Sequence, residues 1–413
     1  MTTASTLRIA WRNLGRNWKR TVLALAAIGM GQFAFLSTTA LMHGYAEQFF
    51  NSVTGPLVGH IQIHEPKWRD DRSVDLAIGD LNVVLGEIRE DPHVDHASAR
   101  IFAPVLVALT EDGFMGMVVG VDAASEAHPS GILAGRELSE KLGERRVLVG
   151  RSFARKYDIE PGMEIALIGQ DVDGSIANDL YRVSDVLSSA VELVNNLGIV
   201  MSLADAQDFL LLTDQAHEIV IHVNDLDKID EAVTSLSSLP TLAGLEVLSW
   251  QKIAPLIVSM IEMMGAYRYI ILFIVFIAAA AGIANTMLMS TYERTHEFGM
   301  LLSLGCGPGR LARIVATEAI VLGQLGVILG SALGIGLVLG TSGSGIDYAA
   351  LGGGESSMEM AYKGIQLSSR VFLELHPSDV VAGVMAMLLI SFLAMVWPLL
   401  RIVRLEPMEA LRS

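Results

Sequence analysis

The sequence predicts an α-helical membrane protein with four transmembrane helices and a large α+β domain inserted between helices 1 and 2. Three observations predict it. Hydrophobic residues make up 52% of the chain and charged residues only 18%, whereas a soluble domain carries about 25% charge. The apolar excess gathers in four blocks, at roughly 22–42, 269–292, 314–339 and 380–400, each reaching the ~20 residues that a helix needs to cross a bilayer. The stretch 44–268 between the first two blocks is instead charged and full of short alternating segments.

Residues 1–20 read as a cytoplasmic amphipathic helix. Leu7, Trp11, Leu14 and Trp18 share a face, and Arg8, Arg12, Arg16 and Lys19 fill the rest, the pattern of a helix lying in the membrane interface. Residues 21–43 form transmembrane helix 1. It is expected to be a retained anchor, because its apolar run exceeds the ~7–15 residues of a cleavable leader.

Residues 44–268 hold 16 Lys+Arg and 35 Asp+Glu, a net charge of −19. An acidic domain is repelled from an anionic membrane surface and stays soluble. His60-Ile61-Gln62-Ile63-His64 alternates as a strand does, and 103–109 and 117–121 flank a turn at Glu111-Asp112-Gly113. Further strands are expected at 146–149, 164–168, 181–186, 199–202 and 218–223. Helices are expected at 81–90, 205–212 and 226–236, the last with Asp225 as N-cap. Short strands with turns at Pro161-Gly162 and Asp173-Gly174 suit a small β-subdomain inserted in an α+β one. The only cysteine, Cys306, lies outside this domain, so its fold rests on an apolar core without disulfides.

A helical pattern over 253–268 runs without a break into transmembrane helix 2 at 269–292. Residues 293–313 then form a cytoplasmic segment in which Gly305, Gly307, Pro308 and Gly309 break the helix and turn the chain back. Transmembrane helix 3, at 314–340, repeats Gly326, Gly330 and Gly334 every four residues, a face without side chains that lets helices pack closely in lipid. A Gly/Ser-rich second outer loop at 341–379 is expected to hold little regular structure, and transmembrane helix 4 at 380–400 leads to a tail at 401–413. Basic residues cluster before the first span, between spans 2 and 3 and in the tail, so the positive-inside rule makes both termini cytoplasmic and 44–268 external.

Several chemistries are missing from the sequence. There is no Gly-Lys dipeptide and hence no P-loop, and no Cys-x-x-Cys, His-Glu-x-x-His or Gly-x-Ser-x-Gly. His296-Glu297 begins a zinc motif, but Met300 stands where its second ligand belongs. His60 and His64 are read as surface histidines rather than a metal pair. Span 1 offers only Gln32, Ser37, Thr38 and Thr39 as polar groups, whereas ion-coupled carriers place ionisable groups at mid-membrane. An enzyme, an ion pump and a nucleic-acid binder are therefore not expected. What remains is Glu293–Gly305, whose apolar Phe298, Leu301, Leu302 and Leu304, flanked by Glu293, Arg294 and Glu297, suit a groove on a partner.

The run Glu293-Arg294-Thr295-His296-Glu297-Phe298-Gly299-Met300-Leu301, followed by Leu304-Gly305, resembles the E-R-x-x-E-[IF]-G-x-L-x-x-L-G signature of the FtsX/MacB/LolCDE-type ABC transporter permeases. Glu318-Ala319, the glycine-rich third span and the tail with Pro398, Arg401, Arg404, Leu405, Pro407 and Glu409-Ala410-Leu411-Arg412 also resemble that family, with Val403 in place of its usual small residue. The resemblance implies a bacterial inner-membrane permease whose periplasmic domain has porter-like and sabre-like subdomains. It implies that Glu293, Arg294, Glu297, Phe298, Gly299, Leu301, Leu304 and Gly305 couple to a cytoplasmic ABC ATPase dimer. ATP and Mg would be bound by that partner, with no cofactor in this chain. A second permease copy or paralogue completes the implied assembly.

The family implies three alternative tasks, all driven by mechanotransmission of ATP-driven motion to the periplasmic domain. These are lipoprotein release to a periplasmic carrier, MacB-like tripartite efflux through an adaptor, and FtsX-like control of a cell-wall hydrolase without transport. The Gly59-His60-Ile61-Gln62-Ile63 stretch resembles a segment of the lipoprotein-releasing permeases. Were lipid-anchored cargo extracted from the membrane lipids, the outer halves of spans 1 and 2 would wall a lateral cavity with Phe33, Leu36, Met42, Ile261, Met264, Ile271 and Phe273.

Overall fold

The computed structural model describes residues 15, 18–109, 112–126, 131–133, 140–189, 191–347, 360–362, 365–367 and 370–403. The expected helix at 1–20, apart from Gly15 and its last residues, and the tail from 404 onward lie outside the described residues. In chain order the longer helices are α1 (Trp18–Val53), α2 (Leu81–Glu90), α3 (Leu203–Leu210), α4 (Ile229–Ser237), α5 (Pro255–Glu293), α6 (Thr295–Ser303), α7 (Pro308–Thr341) and α8 (Pro377–Val403). The strands of the outer domain are β1 (Ile61–His64), β2 (Val94–Leu109), β3 (Asp112–Val121), β4 (Arg146–Gly150), β5 (Glu164–Gln170), β6 (Ile176–Leu187), β7 (Gly198–Ser202), β8 (Glu218–Val223) and β9 (Glu246–Ser249). The described residues divide into a membrane unit (those of 1–47, 261–354 and 370–413) and an outer unit (those of 48–260 and 355–369).

Among the described residues, four helical stretches, Thr21–Val58, Pro255–Glu293, Pro308–Thr341 and Pro377–Leu400, are long and apolar enough to cross a membrane. With 36 and 39 residues, α1 and α5 exceed the ~20 that a bilayer requires. In the membrane unit the glycine face of α7 lies on α1. A Cβ at Gly326 would stand 2.7 Å from Ile28, one at Gly330 2.3 Å from the Gly29 carbonyl oxygen, and one at Gly334 3.0 Å from Leu36. At Gly330 backbone meets backbone, while the Ile28 and Leu36 side chains of α1 occupy the space over Gly326 and Gly334. The fully buried Gln32 crosses the same seam, donating from Nε2 to Ser331 Oγ at 3.1 Å. Further along, Arg268 Nη1 of α5 donates to His43 Nε2 of α1 at 3.0 Å, and that ring nitrogen lies 3.2 Å from Asp379 Oδ2 of α8.

Gly330→Leu drives a side chain into the Gly29 carbonyl. We expect it to cost about 1–3 kcal/mol, the usual penalty of overpacking, read as a lowered unfolding temperature of the purified protein. The loop after α7 is more regular than its composition suggests: Ile346–Asp347 pairs antiparallel with Arg370–Val371, and Met360–Tyr362 with Ile365–Leu367.

In the outer unit the strand order is β3-β7-β4-β6-β5-β2-β8-β1-β9, and β2 also pairs with β3. Six strands thus close into a ring, and β2 leaves the ring to begin a four-stranded antiparallel sheet, β2-β8-β1-β9. The ring is the small β-subdomain expected from the clustered turns. The other sheet carries α2 against β2 and α4 against β9. α2 turns its apolar stripe inward, burying Leu81, Val84, Leu85 and Ile88. α3 begins at Leu203, two residues earlier than expected, because the Ser202 hydroxyl accepts from the Asp205 amide at 3.0 Å and caps it. Asp225 caps a short turn at Leu226–Lys228, through the Asp227 amide, and α4 follows.

β2 runs for 16 residues, starting well before the expected 103–109. Its early part carries no alternation because both faces are buried: Ala97, Ala99 and Ile101 on one side, Ser98 and Arg100 on the other. Arg100 sits at the fork, in register with Glu218 of β8 and Val121 of β3. Its guanidinium is held by Glu126 (Nε to Oε1 2.6 Å, Nη2 to Oε2 3.1 Å) and donates from Nη1 to the Leu57 carbonyl at 2.8 Å. Glu126 also accepts from Ser98 Oγ and the Ile132 amide. Although burial opposes its ionisation, Arg100 and these donors hold the Glu126 carboxyl below its usual range.

His64 is not a surface group, contrary to the expectation, and His60 is half-buried. His64 is fully buried, and His60 stacks on Phe50 at 5.9 Å and accepts from the Val223 amide. β1 is the third of four strands, and all four of its residues are buried.

Burial pushes the Glu218 carboxyl up to about 7 and the His60 imidazole down to about 4. The two act on stability with opposite sign. The Glu218 contribution is full below its ordinary value of 4.5 and is lost as pH rises through about 7. The His60 contribution is full above its ordinary 6.5 and is lost as pH falls through about 4. Glu218→Gln removes the first and leaves the second. At pH 8 the variant should be more stable than the parent by up to about 3 kcal/mol, at about 1.4 kcal/mol per pKa unit. The difference should vanish near pH 5, as read by denaturant unfolding at both values.

Candidate functional site: the segment between α5 and α7

α5 ends at Glu293 and α6 restarts at Thr295, with Arg294 between them. Arg294 donates from Nη1 to Glu318 Oε2 of α7 at 3.0 Å, lies 3.4 Å from Glu297, and sets its guanidinium 5.2 Å from the centre of the Phe298 ring. Phe298 is 2% exposed and sits in the apolar core of the membrane unit with Ile283, Met287, Leu311 and Val315. Gly299 is buried beside it. α6 is therefore pinned on one side by a ring and an ion pair.

Its other side is open. Met300, Leu301 and Leu304 are 49%, 40% and 78% exposed. The end of α6 is a sharp stop. The Cys306 amide donates to the Leu301 carbonyl at 3.0 Å and the Gly305 amide to the Leu302 carbonyl at 3.0 Å, around Gly305 at φ +88°. This is the Schellman arrangement, which needs a left-handed residue that glycine supplies without strain. Pro308 then opens α7 at its first turn, where its missing N–H costs nothing.

The structure thus divides the predicted coupling residues. Leu301 and Leu304 form a compact exposed apolar tip with Met300, and Gly305 fixes its end. Phe298 and Arg294 belong to the protein's own interior, a correction to the sequence reading that gave both to a partner. Glu318, the residue that anchors Arg294, was missed as part of this site; its signal was an acid near the end of an otherwise apolar span.

The expected cavity wall is also revised. Leu36 is fully buried against Gly334, so helix packing seals it. Phe273 is 63% exposed, and Phe33, Met42, Ile261, Met264 and Ile271 are half-buried.

Among the described residues, four membrane-length helices, with a large α+β insertion after the first and a pinned, apolar-tipped helix between the second and third, define a polytopic membrane protein. Residues 21–239 match the MacB-like periplasmic core domain, and residues 269–407 match the FtsX-like permease C-terminal domain. The chain belongs to this MacB/FtsX family of ABC transporter permeases. Among its relatives, the macrolide export ATP-binding/permease protein MacB of Hyphomonas neptunium is 22% identical over 81% of this chain. The chain spans about half (53%) of that protein's length. The lipoprotein-releasing system transmembrane protein LolE of Haemophilus influenzae is 23% identical over 98% of both chains. A solved structure, the periplasmic region of MacB from Actinobacillus actinomycetemcomitans, covers 48% of this chain at 11% identity with a TM-score of 0.33.

Proposed function

We propose that this chain is the membrane subunit of a MacB-like ABC transporter in which α6 is the coupling helix. A separate ATPase dimer, holding ATP and Mg, seats the tip of Met300, Leu301 and Leu304, and its closure on ATP moves α6. The observation that carries this reading is the two-sidedness of α6: Phe298 and the Arg294–Glu318 pair fix it to the bundle, while the apolar tip lies exposed. Movement imposed on the tip then passes into α5 and α7 rather than being absorbed by a slack loop. α1 and α5 each supply residues to both units. Two permease chains, identical or paralogous, pair with the ATPase dimer in the inner membrane, with both termini cytoplasmic.

For the task itself, we favour release or export of a lipoprotein or another membrane-embedded substrate. The end-to-end match to a lipoprotein-releasing transmembrane protein supports it. MacB-like efflux through an adaptor is the second reading, supported by the match of 21–239 to the MacB-like periplasmic core. Purification from native membranes under mild conditions tests both. An ATPase subunit with a lipoprotein or its periplasmic carrier is expected. An adaptor in their place favours efflux, a cell-wall hydrolase favours FtsX-like control, and absence of any ATPase overturns the coupling reading.

A further inference from the structure

The outer unit carries a partly open pocket of about 580 Å³, within the about 300–1,000 Å³ typical of ligand pockets. Most of its wall is apolar, including Leu57, Phe102, Met117, Leu193 and Ile257. The exceptions are Gln62, Arg69, Arg72 and Glu218. Arg69 uses Nη2 on the Ile253 carbonyl at 2.9 Å. Arg72 lays its guanidinium carbon 4.1 Å over the Trp68 ring. Stacking of this kind leaves the edge of a guanidinium, with its N–H donors, available to a ligand.

Glu218 interacts electrostatically with both Arg72 and Arg69, but one buried carboxyl cannot offset two guanidinium charges. It is 4% exposed, and its ion-pair contact is with Arg100 at 3.9 Å, a cation already held bidentately by Glu126. Burial also keeps its carboxyl protonated up to about pH 7, in which state it can donate a hydrogen bond into the cavity. The polar wall is therefore rich in donors and net positive, and it faces an apolar chamber.

We propose that this cavity binds an amphiphile with an apolar chain and an anionic head, the chain against Phe102, Met117 and Ile257 and the head at Arg69 and Arg72. Guanidinium pairs bidentately with carboxylate or phosphate, with hydrogen bonds roughly twice as strong as neutral ones. A cationic head meets two like charges at the same wall. The site rests on the cavity's own lining and not on the coupling assignment of α6.

The full chain, reconstituted in nanodiscs, can be exposed to three probes with a photoactivatable alkyl tail, headed by a carboxylate, a phosphomonoester or an amine. Labelled peptides are then mapped by mass spectrometry. We expect the anionic probes to label peptides bearing Met117 and Leu193 saturably, and the amine about tenfold less or weaker, the equivalent of one charge-assisted hydrogen bond. The carboxylate and phosphomonoester arms distinguish a fatty acid from a phosphate-headed lipid. Arg69→Gln with Arg72→Gln should reduce the anionic labelling by a similar factor. Equal labelling by the amine probe, or anionic labelling confined to α1, α5, α7 and α8, overturns the proposal. The comparison of heads needs only the parent protein, so a variant that fails to fold leaves it decisive. Failure here would leave ATPase stimulation through α6 unaffected.

Discussion

An ATPase subunit reconstituted with the Leu301→Asp, Leu304→Asp variant will hydrolyse ATP at its own unstimulated rate. Both side chains are at least 40% exposed, so charge at these positions costs the permease little stability. Under the proposed coupling role of α6, the same charges would enter an apolar groove of the ATPase. Anchors of this kind contribute about 2 kcal/mol or more to an interface, so affinity for the ATPase should fall by about 30-fold or more. The measurement is permease-dependent ATP turnover, with thermal unfolding of the permease as control. Full stimulation by the variant would sink the assignment of α6. Phe298→Ala separates the two sides of the helix. Removing a buried ring costs about 3–5 kcal/mol, so this variant should lose permease stability along with stimulation.

Arg100→Ala should destabilise the outer unit most among its single substitutions. Breaking a buried ion pair from one side costs about 3–5 kcal/mol, because the remaining charge is left without a partner. Here the loss strands Glu126 and the Leu57 carbonyl and leaves Glu218 without its nearest cation. Denaturant unfolding monitored by tryptophan emission reports it, since Trp68 is buried in the outer unit. Arg100→Met with Glu126→Leu should recover much of the loss, since apolar replacement of a whole buried pair is often neutral. A single Arg100→Ala variant as stable as the parent would show that the pair contributes nothing.

The membrane helices were legible in the sequence because a lipid-facing helix must be apolar along its length, a signal carried by every residue of each block. The α2 stripe was legible for a similar reason, its period being local. The closed ring was not. Pairing of β2 with β3, β5 and β8 is decided between distant segments, and the first half of β2 shows no alternation because both its faces are covered. At α6 the sequence revealed which residues are apolar but not which side already has a partner. Phe298 and Leu304 look equally fit for a groove until the α5–α7 core is seen to fill one of them in. Arg294 has the same ambiguity, since its partner Glu318 lies on the next long helix.

The position of β1 has a consequence for how the chain is made. β1 lies between β8 and β9, with Ile61 opposite both Ile221 and Ser249. The first strand to cross the membrane thus has no neighbour until nearly the whole insertion has followed it. Contacts this remote in sequence are slow to form and leave strand edges bare in the interim. The order of export therefore makes the return strands β8 and β9, and not the first-emerging segment, the event that closes the four-stranded sheet. Truncation before β9 should yield a chain with an uncovered β1 edge, exposed to proteases and to pairing with a second copy.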